Sequence, residues 1–176
     1  MHPPTQMAIS RELNPDPSLV LNAAKDSILG GRLQSFTSRN WHPRKAPLEP
    51  DLEASFKRLN EWNEKMIDIS LQAAYRSSIR DLRRAFETFS AISQDLGLVF
   101  VWPCAVQNKF IVQLKMKRPM ALAILAHYAV LLHSISGHWW SNGRGSQLLE
   151  AICQELPSTW QLAVSWPKQV IRGTSP

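Results

Sequence analysis

From Met120 to Ile135 the chain runs sixteen residues, MALAILAHYAVLLHSI, without a formal charge when histidine is counted neutral. A helix built from them is apolar nearly all the way round, so it needs burial on most of its sides. It falls short of the roughly 20 apolar residues that span a bilayer and carries His127 and His133, so the shelter has to be protein. Pro119 fits the first turn of such a helix and Gly137 breaks it. A chain of 176 residues can supply the cover, since about 150 residues already bury close to 70% of their unfolded surface.

The remaining periodic segments read as that cover. Pro50, with Asp51 and Glu53 in the first turn, opens a helix whose one side carries Leu52, Phe56, Leu59, Asn63 and Met66. Tyr75, Ile79, Leu82, Phe86, Phe89 and Leu96 recur at helical spacing, which predicts an amphipathic helix of about six turns closed by Gly97. Leu98–Pro103, LVFVWP, has the β-branched and aromatic composition of an extended connector, with Phe100 or Trp102 plugging the core. Phe110, Ile111 and Leu114 suggest a brief helix ending in Lys115, Lys117 and Arg118. After Trp139-Trp140, the segment SNGRGS forms a turn into a helix bearing Leu148, Leu149, Ile152 and Leu156. Trp160, Val164, Trp166 and Pro167 close the ordered part. The fold expected is all-α, a single irregular helical domain of about five to seven helices around a buried central apolar helix.

Proline content locates the edges of that domain. Pro3, Pro4 and Pro15 precede a short helix from Asp16 to about Ile28, and RNWHPRKAPLEP follows as a Pro-rich linker. The expected organisation is a flexible segment over 1–50, a helical body over 51–170 and a tail over 171–176. The N-terminal MHPPTQMAISREL holds three consecutive apolar residues at most where a secretion signal needs about 7–15, so an intracellular chain is expected.

Candidate chemistry is sparse. Twenty Lys and Arg against 14 Asp and Glu give +6, but only Arg76, Arg80, Arg83 and Arg84 form a dense group, along one helical stripe that is either a phosphate-binding face or a solvated one. His127 and His133 are six residues apart and diverge on a helix, unlike paired metal ligands. Cys104 and Cys153 sit in apolar contexts and read as buried thiols. Between Asp95 and Pro167 the only acids are Glu150 and Glu155, which would diverge too. The turn SNGRGS lacks the spacing of a phosphate loop. No catalytic residue, metal site or cofactor is expected. The aromatics Trp102, Trp139, Trp140, Trp160 and Trp166 either fill a core or line an apolar pocket.

The order of these motifs carries a resemblance. A helix beginning Tyr75, Ile79, Leu82, then VFVWP (99–103), Phe110-Ile111, RPMALAILAHYAVLLH (118–133), HWWSNGRG (138–145), LLEAI (148–152) and SWP (165–167) resembles the C-terminal region of fungal zinc-cluster transcription regulators, most nearly the sterol-uptake-regulator type. The likeness covers about residues 75–167, with Gly143 and Gly145 matching and Arg144 standing where those relatives carry an aromatic. It implies a non-enzymatic regulatory domain for effector binding or dimerisation, controlling metabolic or secondary-metabolite genes from the nucleus or by shuttling through the cytoplasm. Implied partners are an apolar, sterol-like effector, a second copy and the transcription machinery. The family's six-cysteine zinc cluster has no counterpart among two cysteines, so DNA binding by this chain alone is not expected. Leu125, Tyr128, Leu132, Trp139 and Trp140 are the expected pocket residues, with Tyr128 and His127 as polar handles. The alternative is a small helical enzyme or accessory protein of a fungal biosynthetic pathway, working through His127, His133 or a thiol.

Overall fold

The computed structural model describes residues 46–91, 96–137 and 143–173, and among these every regular element is helical. The order is α1 (Pro50–Glu64), α2 (Ile69–Ala91), α3 (Leu96–Val99), α4 (Val101–Ala105), α5 (Asn108–Lys115), α6 (Pro119–Ser134), α7 (Arg144–Glu155), a 3₁₀ turn (Ser158–Val164) and α8 (Ser165–Gly173). The expected short helix over 16–28, Trp41 and most of the Pro-rich linker lie outside the described residues.

The uncharged run forms α6 and is the axis of the molecule. Every side chain from Met120 to Leu132 is buried, without a solvent-facing stripe, and α1, α2, α5, α7, the 3₁₀ turn and α8 all pack against it. Both proline-led starts hold: Pro50 and Pro119 each occupy the first turn, where a missing N–H costs nothing.

The closest neighbour of α6 is α7, and the glycines of SNGRGS explain the approach. Gly143 adopts φ 72°, the left-handed conformation that a side chain disfavours, and caps α7. Gly145 has the other task. A Cβ there would lie 2.5 Å from the Ala129 carbonyl oxygen and 2.5 Å from the His133 nitrogen, so the backbones of α6 and α7 touch at this point.

α1 and α2 form a helical hairpin. Asp68 caps α2, its Oδ1 accepting from the Ser70 and Leu71 N–H groups at 2.9 and 3.0 Å. Asn63, the polar residue in the apolar stripe of α1, is buried and donates to the Gln72 carbonyl at 2.9 Å, while Gln72 Nε2 donates back to the Asn63 and Glu64 carbonyls. The polar slot is therefore the clasp of the hairpin. Arg83 joins the two helices again, reaching Glu53 at 2.7 Å and Glu87 at 3.0 Å.

Two sequence expectations are corrected. Leu98–Pro103 is helical on either side of a turn at Phe100, with Leu98-Val99 in α3 and Val101–Pro103 in α4, and Gly97 lies inside α3. The tertiary setting overrides the β-type composition: Trp102 is fully buried, its indole N–H donates to the Ser78 carbonyl at 2.9 Å, and Pro103 falls early in α4, where proline is tolerated. The cysteines are the second. Cys104 and Cys153 are each half-buried, because they sit at the margins of α4 and α7.

Candidate functional site

α5 ends in a tight C-terminal motif that sets the geometry of the site. Lys117 adopts φ 51°, its N–H donates to the Leu114 carbonyl at 2.9 Å, and the Arg118 N–H donates to the Gln113 carbonyl at 3.0 Å. This is the paired bonding of a Schellman cap, with lysine in the left-handed position that glycine usually takes, at a cost of about 1–2 kcal/mol. Lys117 Nζ is held to Glu155 Oε1 at 2.7 Å, which ties the strained turn to α7. The turn reverses the chain so that Arg118 becomes the N-cap of α6.

The N-terminus of α6 opens into a pocket of about 580 Å³. Its apolar wall comes from Trp62, Met66, Leu71, Pro119, Met120 and Trp160. Trp62 and Trp160 meet edge to face, with centroids 4.7 Å apart at 84°, an arrangement favoured by the ring quadrupoles. The polar lining is Lys65, Tyr75, Gln113 and Arg118, with no carboxylate among the lining residues. Lys65 and Arg118 are exposed, whereas Tyr75 is 1% and Gln113 7% exposed.

Neither the Tyr75 hydroxyl nor the Gln113 side-chain amide has a hydrogen-bond partner among the described residues. The two side chains are largely buried, but neither belongs to the fully buried orphans, Asn63 Oδ1 and the Tyr128 hydroxyl, so their polar atoms remain accessible. Burial pushes the Tyr75 phenol up to about 12, with the nearby Arg118 charge pulling the other way, so it is a neutral O–H donor near neutral pH. α6 itself has no side-chain cap, and its first internal bond runs from the Leu122 N–H to the Arg118 carbonyl at 3.0 Å. The Met120 and Ala121 N–H groups precede that bond, at the positive end of the helix dipole.

No family model, curated protein or solved structure matches this chain.

The residues singled out in the sequence fall elsewhere. Leu125, Tyr128 and Leu132 share one flank of α6 and are buried in the closed core, apart from the 580 Å³ pocket. Trp139 and Trp140 lie outside the described residues. Tyr128 stacks obliquely on Trp102, centroids 4.9 Å apart, and its hydroxyl is buried without a hydrogen-bond partner among the described residues. Burial is the main reason its phenol is pushed far above the ordinary range, with Cys104 adding to the shift.

His127 is enclosed between Phe56 and Trp166, each with its ring centroid 5.7 Å away. Its Nδ1 lies 2.8 Å from the Ala123 carbonyl, which can only accept, so Nδ1 carries the proton. Nε2 is then an acceptor for the Ser55 hydroxyl at 2.7 Å. The pair has the hydrogen bonding of a nucleophile and its base, but Ser55 is 2% and His127 0% exposed, with no route for a substrate to the hydroxyl. It is a buried polar tie between α1 and α6. His133, at the end of α6, lies 3.3 Å from the Ser146 hydroxyl.

The arginine stripe is largely engaged within the molecule. Besides Arg83, Arg80 pairs with Asp81 at 3.2 Å, Arg84 with Asp81 at 3.9 Å, and Arg76 donates to Gln72. Among the described residues no group of three or more His, Cys, Asp and Glu is placed to hold a metal ion, and no helix is long and apolar enough to cross a membrane.

Proposed function

We propose that the chain is the effector-binding body of a fungal transcription regulator, acting without chemistry by coupling occupancy of a pocket to the packing of its helices. In this reading it works in the nucleus or shuttles between nucleus and cytoplasm, and a second copy and the transcription machinery are its macromolecular partners. Another polypeptide or domain supplies DNA contact. The motif order from Tyr75 to Pro167 motivates the family. The observation that carries the function is the 580 Å³ pocket, within the range usual for small-molecule sites, lined by two tryptophans and two enclosed polar side chains without partners.

The pocket touches the parts of the fold that would relay occupancy. Trp62, Lys65 and Met66 come from the end of α1, Leu71 and Tyr75 from α2, and Trp160 from the 3₁₀ turn that leads to α8. A ligand there changes the contacts of three segments that all rest on α6. The effector therefore sits at the N-terminal end of the central helix and not along Leu125, Tyr128 and Leu132, whose side chains fill the core.

The enzyme reading has the Ser55–His127 pair as its best support, and the enclosure of both residues argues against it. A reporter assay tests the regulatory reading. Residues 1–176 fused to an unrelated DNA-binding module are expected to alter transcription in fungal cells, and Leu71→Trp, which fills the pocket from its wall, to change that output at least threefold at equal protein level. Output equal to that of the DNA-binding module alone, or identical for the two forms, would overturn it.

A further inference from the structure

The pocket contains more polar chemistry than a neutral hydrocarbon needs. Tyr75 is nine-tenths buried and more, its hydroxyl lacks a partner among the described residues, and its high pKa keeps it a donor. Gln113 is enclosed to a similar degree and its amide N–H groups are unused. Arg118 and Lys65 bring two cations to the rim, and neither makes an ion pair with a described acid. The Met120 and Ala121 N–H groups at the uncapped start of a 16-residue helix add positive potential to the same end. Donors and positive charge thus converge from α2, α5 and α6, while no lining residue offers a negative charge.

Every one of these groups can serve an anion, and the Tyr75 hydroxyl and Gln113 amide, accessible and without a protein partner among the described residues, are free to turn to a ligand. The other wall, with Trp62, Met66, Leu71 and Trp160, offers only apolar and aromatic surface. The matching ligand has a compact anionic head and a hydrophobic body.

We propose that this pocket binds a hydrophobic carboxylate, the head hydrogen-bonded by Tyr75, Gln113 and the start of α6 beside Arg118, the body lying against Trp62, Met66 and Trp160. The proposal rests on the reading of the pocket as an effector site and replaces a neutral, sterol-like effector with an amphipathic acid. A planar carboxylate suits Arg118 in particular, since a guanidinium offers paired donors in the same plane. The strained turn at Lys117 is what delivers Arg118 and the α6 terminus to one place.

Titration calorimetry on the full chain with dodecanoate and with dodecan-1-ol separates the possibilities. The expected result is saturable binding of one dodecanoate per chain, with dodecan-1-ol at least tenfold weaker. Tyr75→Phe keeps the ring and removes only the hydroxyl, and Arg118→Gln alters an exposed side chain, so both variants keep their unfolding midpoints. Arg118→Gln, which removes the charge, is expected to weaken dodecanoate about tenfold while leaving dodecan-1-ol within twofold, and Tyr75→Phe to weaken dodecanoate about tenfold and more than it weakens dodecan-1-ol. Equal affinity for acid and alcohol, or unchanged dodecanoate binding in both variants, would overturn the carboxylate assignment and leave the effector site standing. Binding of neither probe would overturn the assignment together with the pocket as a site for such chains, and the reporter assay reads the regulatory role separately.

Discussion

At His127 the surroundings oppose a second proton. Burial lowers its pKa to about 4, the Arg58 charge assists, and the bond to the Ala123 carbonyl compensates only in part. In the unfolded chain the ring titrates near 6.5. The folded pKa lies below the unfolded one, so the stability this neutral ring contributes is complete above about pH 6.5 and is lost as pH falls towards 4. The whole interval amounts to about 3 kcal/mol, of which about 2 kcal/mol disappears between pH 6.5 and 5, where ordinary carboxylates bind few protons. Urea unfolding at pH 7 and pH 5 checks this, with His127→Gln expected to flatten the difference. Equal wild-type stability at the two values would show that the ring is not held neutral. The sequence made His127 visible as a polar residue on an apolar helix. It could not reveal that Ser55, 72 residues away, supplies the partner, because that pairing depends on how α1 lies on α6.

Elements were legible where periodicity or punctuation was strong. The uncharged run, Pro50, Pro119 and the stripe from Tyr75 to Phe89 each match an observed helix, since their local signals agree with their burial. LVFVWP was not legible as helix, because its β-branched composition is outweighed by the anchoring of Trp102 on Ser78. The turn SNGRGS was readable as a helix start, yet the different duties of its glycines were not. Gly143 needs a left-handed backbone, and Gly145 needs the absence of a Cβ against Ala129 and His133. Gly145→Ala should therefore force α6 and α7 apart and cost about 3 kcal/mol, at the upper end for an overpacked position. The same change at Gly137, which has open space around it, should cost far less. Equal unfolding midpoints for the two variants would contradict a close α6–α7 crossing.

Across the whole molecule, one apolar helix organises both stability and the site. The sides of α6 are spent on the core, which leaves its N-terminal end as the place where helix dipole, rim cations and enclosed donors meet the 580 Å³ pocket. This site was illegible in the sequence for a physical reason: Trp62, Tyr75, Gln113, Arg118 and Trp160 have no common spacing and are collected only when α1, α2, α5 and the 3₁₀ turn settle on α6. The chain's five methionines give a direct view of it. Met66 and Met120 line the pocket, whereas Met116 is exposed on the C-terminal cap of α5 and is not among the lining residues. With ¹³C-labelled methionine methyl groups, titration with dodecanoate should move the Met66 and Met120 resonances together, saturably, and leave Met116 in place. Saturable binding that left Met66 and Met120 unmoved, or that shifted Met116 instead, would contradict the assignment of the effector site to the start of α6.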